Sequence, residues 1–298
     1  MTIARKRVLG AAVSLALLGL APQAGAGPVI LGGDDLTDHG SISGGTTLLE
    51  GWLYIQKALT NLLGTATITG STVQIAVLGA ADSTATSGNA GAAVHHAAAL
   101  SGWSVNYYDG SASIDGFFAS LAAGSVTPTV MWLAGTGAAN DLDSAEGASL
   151  TANASAINSF VAAGGGLMAH GSGDIAYGWL SALLPGIDEV SGCSSSGATL
   201  TAAGQAAFPG LSDSDIDANA GPCHSHFTGN FGGLTTLAFD GQQRSYIIGG
   251  GASTLIQCGQ PGQPDCPSQS VPVAPTIPLM LAGMAALFGA RRLRKATA

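Results

Sequence analysis

Residues 150–171 read LTANASAINSFVAAGGGLMAHG. The first part, Leu150 to Ala163, opens on polar residues and continues with apolar positions at helical spacing. Gly164-Gly165-Gly166 then stops the helix, because glycine accepts the left-handed backbone that ends one. Leu167-Met168-Ala169 is a short apolar strand, and it delivers His170 and Gly171 at its carboxyl end. A helix, a glycine stop, a buried strand and a polar residue at the strand end form one unit of an α/β protein.

The same alternation extends in both directions. Upstream, Pro28 to Gly32, Val73 to Leu78, Ser104 to Tyr108 and Thr129 to Leu133 read as strands. Residues 46–63, 90–100 and 113–122 read as the helices between them. Downstream, Asp174 to Leu184 reads as a helix ended by Pro185. Thr235 to Phe239 and Ser245 to Ile248 read as a closing hairpin around Asp240-Gly241. Strands that alternate with helices of this length predict a doubly wound, mostly parallel α/β sheet. Functional groups are then expected at the carboxyl ends of the strands. There lie Gly32-Gly33-Asp34-Asp35, Gly79 to Asp82, Asp109-Gly110, Ala134 to Gly137 and His170 to Asp174.

The two ends of the chain have a different character. Arg5-Lys6-Arg7, the apolar stretch Val8 to Leu20 and the small residues Ala24-Gly25-Ala26 read as a secretory signal, with cleavage by signal peptidase expected after Ala26. At the other end, Pro261 to Pro278 is rich in Pro, Gln and Ser. Ile277 to Ala290 is apolar, and Arg291, Arg292, Arg294 and Lys295 follow it. Such a run, extended back to Val271, approaches the ~20 residues a membrane span needs, and the basic end is expected to stay cytoplasmic. The expected division is a signal peptide at 1–26, an α/β domain at 27–258, a linker at 259–276 and an anchor segment at 277–298.

Between those ends only Lys57 and Arg244 stand against 18 acidic residues, a formal charge of about −16. That balance repels phosphate backbones and excludes nucleic acid as a partner. The four cysteines are Cys193, Cys223, Cys258 and Cys266. An even count in an exported chain predicts disulfides. Three pairings are open, of which Cys193–Cys223 with Cys258–Cys266 is the simplest.

Two resemblances follow from these residues. Val271-Pro272-Val273-Ala274-Pro275, the apolar run and the basic end resemble the PEP-CTERM sorting signal of Gram-negative bacteria, with Val273-Ala274 where that signal has Glu between prolines. The resemblance implies processing by an exosortase-type membrane enzyme. The chain would be membrane-held at first, then delivered to the cell surface or extracellular matrix. Residues 130–171 resemble the class I glutamine amidotransferase-like superfamily, and among its members the ThuA-like proteins. This implies a flavodoxin-like order of strands. The superfamily's Cys nucleophile has no counterpart in Ala169-His170-Gly171-Ser172, so the resemblance implies the fold and not amidotransferase activity.

The candidates for chemistry are His170, as a base or ligand, with Asp174 to orient it. Asp34, Asp35, Asp38 and His39 follow the first strand, and Cys223-His224-Ser225-His226 sets two imidazoles two residues apart. In extended chain those two would face one way and share a metal. Asp35, Asp38, His39, His224 and His226 are thus the candidate ligands of a divalent metal. No cofactor is otherwise indicated. His95-His96 lies in a helical pattern and reads as structural. The leading functional expectation is a non-catalytic or ligand-binding surface protein, with carbohydrate as the candidate ligand by analogy with ThuA-like relatives. The alternative is a secreted metal-dependent hydrolase using the His/Asp cluster.

Overall fold

The computed structural model describes residues 26–251, except 71, 195, 219 and 220. The expected signal peptide up to residue 25, the linker, the anchor segment, Cys258 and Cys266 lie outside the described residues. The chain is an α/β structure built on one ten-stranded sheet. Its parallel part has the order β5-β4-β6-β7-β1. These strands are β1 (Val29–Gly32), β4 (Val73–Leu78), β5 (Val105–Tyr108), β6 (Pro128–Leu133) and β7 (Gly166–His170). Every residue of β1, β6 and β7 is buried, which is why these segments read as unbroken apolar runs.

The other part of the sheet is antiparallel. β12 (Ser245–Gly250) pairs β1, with Val29 opposite Gly250. β10 (Ser225–Gly229) and β8 (Ile187–Ser191) continue outward, while β11 (Thr235–Phe239) pairs both β12 and β9 (Thr199–Leu200). The closing hairpin read from the sequence is β11 and β12. Strands β8, β9 and β10 were not read, because β8 and β10 each carry exposed polar residues and too few apolar ones to show a pattern.

The helices fall into two packed groups, as a sheet covered on both faces requires. The first holds α1 (Gly51–Thr65), α2 (Ala90–Ser101), α8 (Ala202–Ala207) and α9 (Asp213–Ile216). The second holds α3 (Ser111–Ala122), α4 (Ser144–Ala152), α5 (Ala154–Ala162), α6 (Gly173–Tyr177) and α7 (Leu180–Leu183). Between the helices and the sheet, Trp52, Trp132, Trp179, Tyr54 and Phe208 are fully buried. Each side chain of this size contributes about 2–3 kcal/mol by leaving water.

Three boundaries differ from the sequence reading. The helix expected over 46–63 begins only at Gly51, because Thr47–Glu50 is a strand, β3, paired with β2 (Gly40–Ser43). Gly44 and Gly45, with φ of 58° and 70°, make the turn that folds this hairpin back. The helix expected over 150–163 is two helices that meet at Asn153. The first starts at a capping box, in which Asp143 accepts from the Glu146 N–H and Glu146 accepts from the Asp143 N–H. The helix expected over 174–184 is the two short pieces α6 and α7. Among the described residues, no helix is long and apolar enough to cross a membrane.

Candidate functional site

The chain leaves β1 at Gly32 and enters a tight turn. Asp38 N–H donates to the Asp35 carbonyl, Leu36 N–H donates to the Asp34 carboxylate, and Asp35 N–H donates to the Pro222 carbonyl. The last bond ties the turn to residues 222–225, where His224 and Ser225 N–H groups both donate to Gly33. A disulfide joins Cys193 to Cys223 beside this junction, so the local pairing expected for these two cysteines is present. Asp240 holds the loop that carries Cys193. Its carboxylate accepts from Ser194 N–H, Gln242 N–H, Arg244 N–H and the Arg244 guanidinium, and is saturated.

These constraints converge on Asp35, which is 4 % exposed. His224 Nε2 lies 2.9 Å from its Oδ2, and His39 Nε2 lies 3.4 Å from its Oδ1. Ligand atoms of Asp35, Asp38 and His39 all lie within 4.8 Å of one another. The hydrogen bond from His224 to Asp35 holds the His224 imidazole above its usual pKa, against a smaller opposing effect of burial. Asp141 joins from the loop after β6. Burial pushes its carboxyl up to about 7, and the Asp35 and Asp38 charges add to the rise. The sequence reading stopped at Gly137 in this loop and missed Asp141, although a carboxylate just past a strand end was a readable signal.

Beneath this cluster lies a second polar layer that solvent does not reach. Asp34 and His170 are both 0 % exposed, with Asp34 Oδ1 3.6 Å from His170 Nδ1. That separation is too long for a hydrogen bond. Burial pushes the Asp34 carboxyl up to about 8 and pulls the His170 imidazole down to about 4, so at neutral pH the pair is an uncharged acid beside an uncharged ring. His170 packs against the Trp132 ring at a centroid distance of 4.9 Å. Asp34 Oδ2, Asp35 Oδ1, Asp141 Oδ1, both His170 nitrogens and the Tyr54 and Tyr246 hydroxyls are buried without a hydrogen-bond partner. Such atoms are rare in folded chains, and their concentration under one strand edge distinguishes this edge from the rest of the molecule.

The remaining sequence candidates lie elsewhere. Asp174 is exposed in the first turn of α6, and the carboxylate beside His170 is Asp34. His226 sits in β10 with Nδ1 2.8 Å from the Gly192 carbonyl. The shared metal expected for His224 and His226 is not what these two rings face in the structure. Regular strand begins only at Ser225, and the two rings go to different partners. His95 pairs with Asp82, and His96 stacks on Trp52 at 5.6 Å, as structural residues do.

In an open α/β sheet the ligand crevice is expected where successive crossovers reverse direction, here between β4 and β6. Asn140 joins the loops that follow these two strands. Its side chain accepts from Ala81 N–H and donates to the Ala81 carbonyl and to Asn89. The polar edge built on Asp35, Asp141 and His170 lies at the ends of β1, β6 and β7. Compared with known proteins, the chain matches no protein-family model, no curated protein and no solved structure.

Proposed function

We propose that this chain is an exported bacterial surface protein whose folded domain is a non-catalytic binding module for a polar ligand, with carbohydrate as the candidate class. In this reading, signal peptidase removes residues 1–26. The tail from Ile277 onward holds the chain in the membrane until an exosortase-type enzyme passes it to the cell surface or matrix. The finer fold assignment, a flavodoxin-like and amidotransferase-like order of strands, belongs to the same proposal.

The observation that carries the binding reading is the edge built on Asp35. Two imidazoles from distant parts of the chain meet one buried carboxylate, above a layer of unpaired polar atoms. The Cys193–Cys223 bridge supports an oxidising compartment. The first and last described residues support the orientation. Gly27 and Gly251 both lie at the amino edge of the parallel strands, where Val29 pairs Gly250, beside a hollow of about 360 Å³. A tether leaving from that edge would point the Asp35 edge away from the membrane. The burial of His170 counts against the hydrolytic alternative that made it the base, because a fully enclosed imidazole reaches no substrate.

The test is expression of the full chain in a Gram-negative host that carries an exosortase-type enzyme. The expected outcome is a mature protein that starts at Gly27 and is cleaved by protease added to intact cells. A chain ended at Thr276 should appear in the medium. Retention in the cytoplasm with the N-terminus intact overturns the export reading. Polysaccharide binding that is unaltered by Asp35→Asn overturns the placement of the ligand.

A further inference from the structure

We infer that the edge of β1 is a divalent transition-metal site, with Asp35, Asp38 and His39 as ligands. The inference rests on the reading of this edge as the binding face and gives that face a specific chemistry.

Three ligand atoms within 4.8 Å of one another need little movement to surround one ion. Oxygen and nitrogen ligands held about 2.0–2.2 Å from a tetrahedral metal lie roughly 3.3–3.6 Å apart. The backbone already sets this arrangement. Asp35 and Asp38 are joined by the Asp38 N–H to Asp35 carbonyl bond, Asp35 N–H is anchored on Pro222, and the His39 carbonyl accepts from Gly51 N–H at the start of α1.

A separate observation points to a ligand. Asp35 Oδ1 is buried and receives no hydrogen bond, in a side chain that is 5 % exposed. A buried carboxylate oxygen without a hydrogen-bond donor is costly, and the His39 Nε2 beside it stands at 3.4 Å, beyond hydrogen-bonding distance. Asp141 Oδ1, on a carboxyl that feels the Asp35 and Asp38 charges, is likewise buried without a hydrogen-bond partner. An imidazole beside two carboxylates favours a borderline ion of the zinc or manganese type. An all-oxygen set would suit calcium or magnesium instead. The other close group, Cys193, Cys223 and Asp240, offers no such site, because its sulfurs are bonded to each other and its carboxylate is saturated by Arg244 and backbone N–H groups.

The experiment uses the full chain in detergent, stripped with chelator and then equilibrated with zinc, manganese or calcium in turn. Bound metal per chain is read by mass spectrometry and the thermal midpoint by scanning. One zinc or manganese ion per chain, with a raised midpoint, is the expected result. Asp38→Asn and His39→Gln, at positions less enclosed than Asp35, should each weaken binding at least tenfold, while His95→Gln should bind as the parent does. No stoichiometric metal, or undiminished binding in both Asp38→Asn and His39→Gln, overturns the site. The two readings fail separately. A chain that binds polysaccharide through Asp35 in the presence of chelator keeps the binding face and loses the metal. A chain that binds one ion but no polysaccharide keeps the metal and loses the carbohydrate.

Discussion

His224 Nε2 lies 2.9 Å from Asp35 Oδ2, although the two residues come from opposite ends of the described chain. Backbone bonds from Gly33 and Pro222 bring the two segments together, and the bridge from Cys223 to Cys193 secures the second segment next to His224 itself. The geometry of the polar edge therefore depends on a crosslink outside it.

Breaking that crosslink should cost stability and loosen the edge. The two cysteines are 30 residues apart, and a loop of that length gives a bridge worth roughly 3–4 kcal/mol through the unfolded chain. Cys193→Ser with Cys223→Ser should lower the unfolding free energy read from urea titration by that amount, and the urea midpoint with it. It should also weaken ligand or metal binding at Asp35. Equal midpoints for the oxidised parent and the double variant would show that the bridge contributes nothing to the fold.

Stability should fall as pH rises from about 6.5 to 8 in chelator-treated protein. Asp34 has a folded pKa of about 8 against an ordinary 3.8, so the folded state holds a proton that the unfolded state has lost, and stability is lost as pH climbs towards 8. Asp141, raised to about 7, acts in the same direction. His170 acts in the opposite sense, but only between its folded value of about 4 and its ordinary 6.5. Above 6.5 the carboxyls prevail, with a loss of roughly 2 kcal/mol from Asp34 by pH 8. Asp34→Asn retains an acceptor for the Leu36 N–H and should flatten this slope. An unchanged slope in denaturant titrations would rule out Asp34 as its source.

Replacing His170 should separate packing from binding. The ring is fully buried against Trp132, and His170→Ala leaves a cavity that costs about 2–4 kcal/mol. Ligand or metal stoichiometry at Asp35 should persist, because His170 faces Asp34 and not the ligand set. Loss of binding at unchanged stability would make His170 part of the site.

Asn140 offers a test of how the loops after β4 and β6 are joined. Its φ of 63° is a left-handed conformation that Asn and Gly tolerate, and its side chain bridges the loops after β4 and β6. Asn140→Gly should lose about 1–2 kcal/mol with those hydrogen bonds. Asn140→Ala should lose about 1 kcal/mol more, from backbone strain. Equal thermal midpoints for the two variants would remove strain from the account.

The parallel strands and the helices between them were readable because buried strands carry unbroken apolar runs and helices keep their own period. Residues 73–78, 129–133 and 167–169 needed no partner to be recognised. The position of Asp35 and its neighbours at a strand end was also readable, from the glycines and carboxylates that follow Leu31. The antiparallel part of the sheet was not, because β8 and β10 hold polar residues at the sheet's outer part and are made strands by pairing with neighbours. Nor could sequence show that His170 is enclosed while His224 meets Asp35. Those outcomes depend on which strands lie side by side and on the turn that ties Gly33 to Ser225. Local composition determined the elements and their order. Burial and the pairing of distant segments, which are properties of the assembled sheet, decided which polar residues became neighbours.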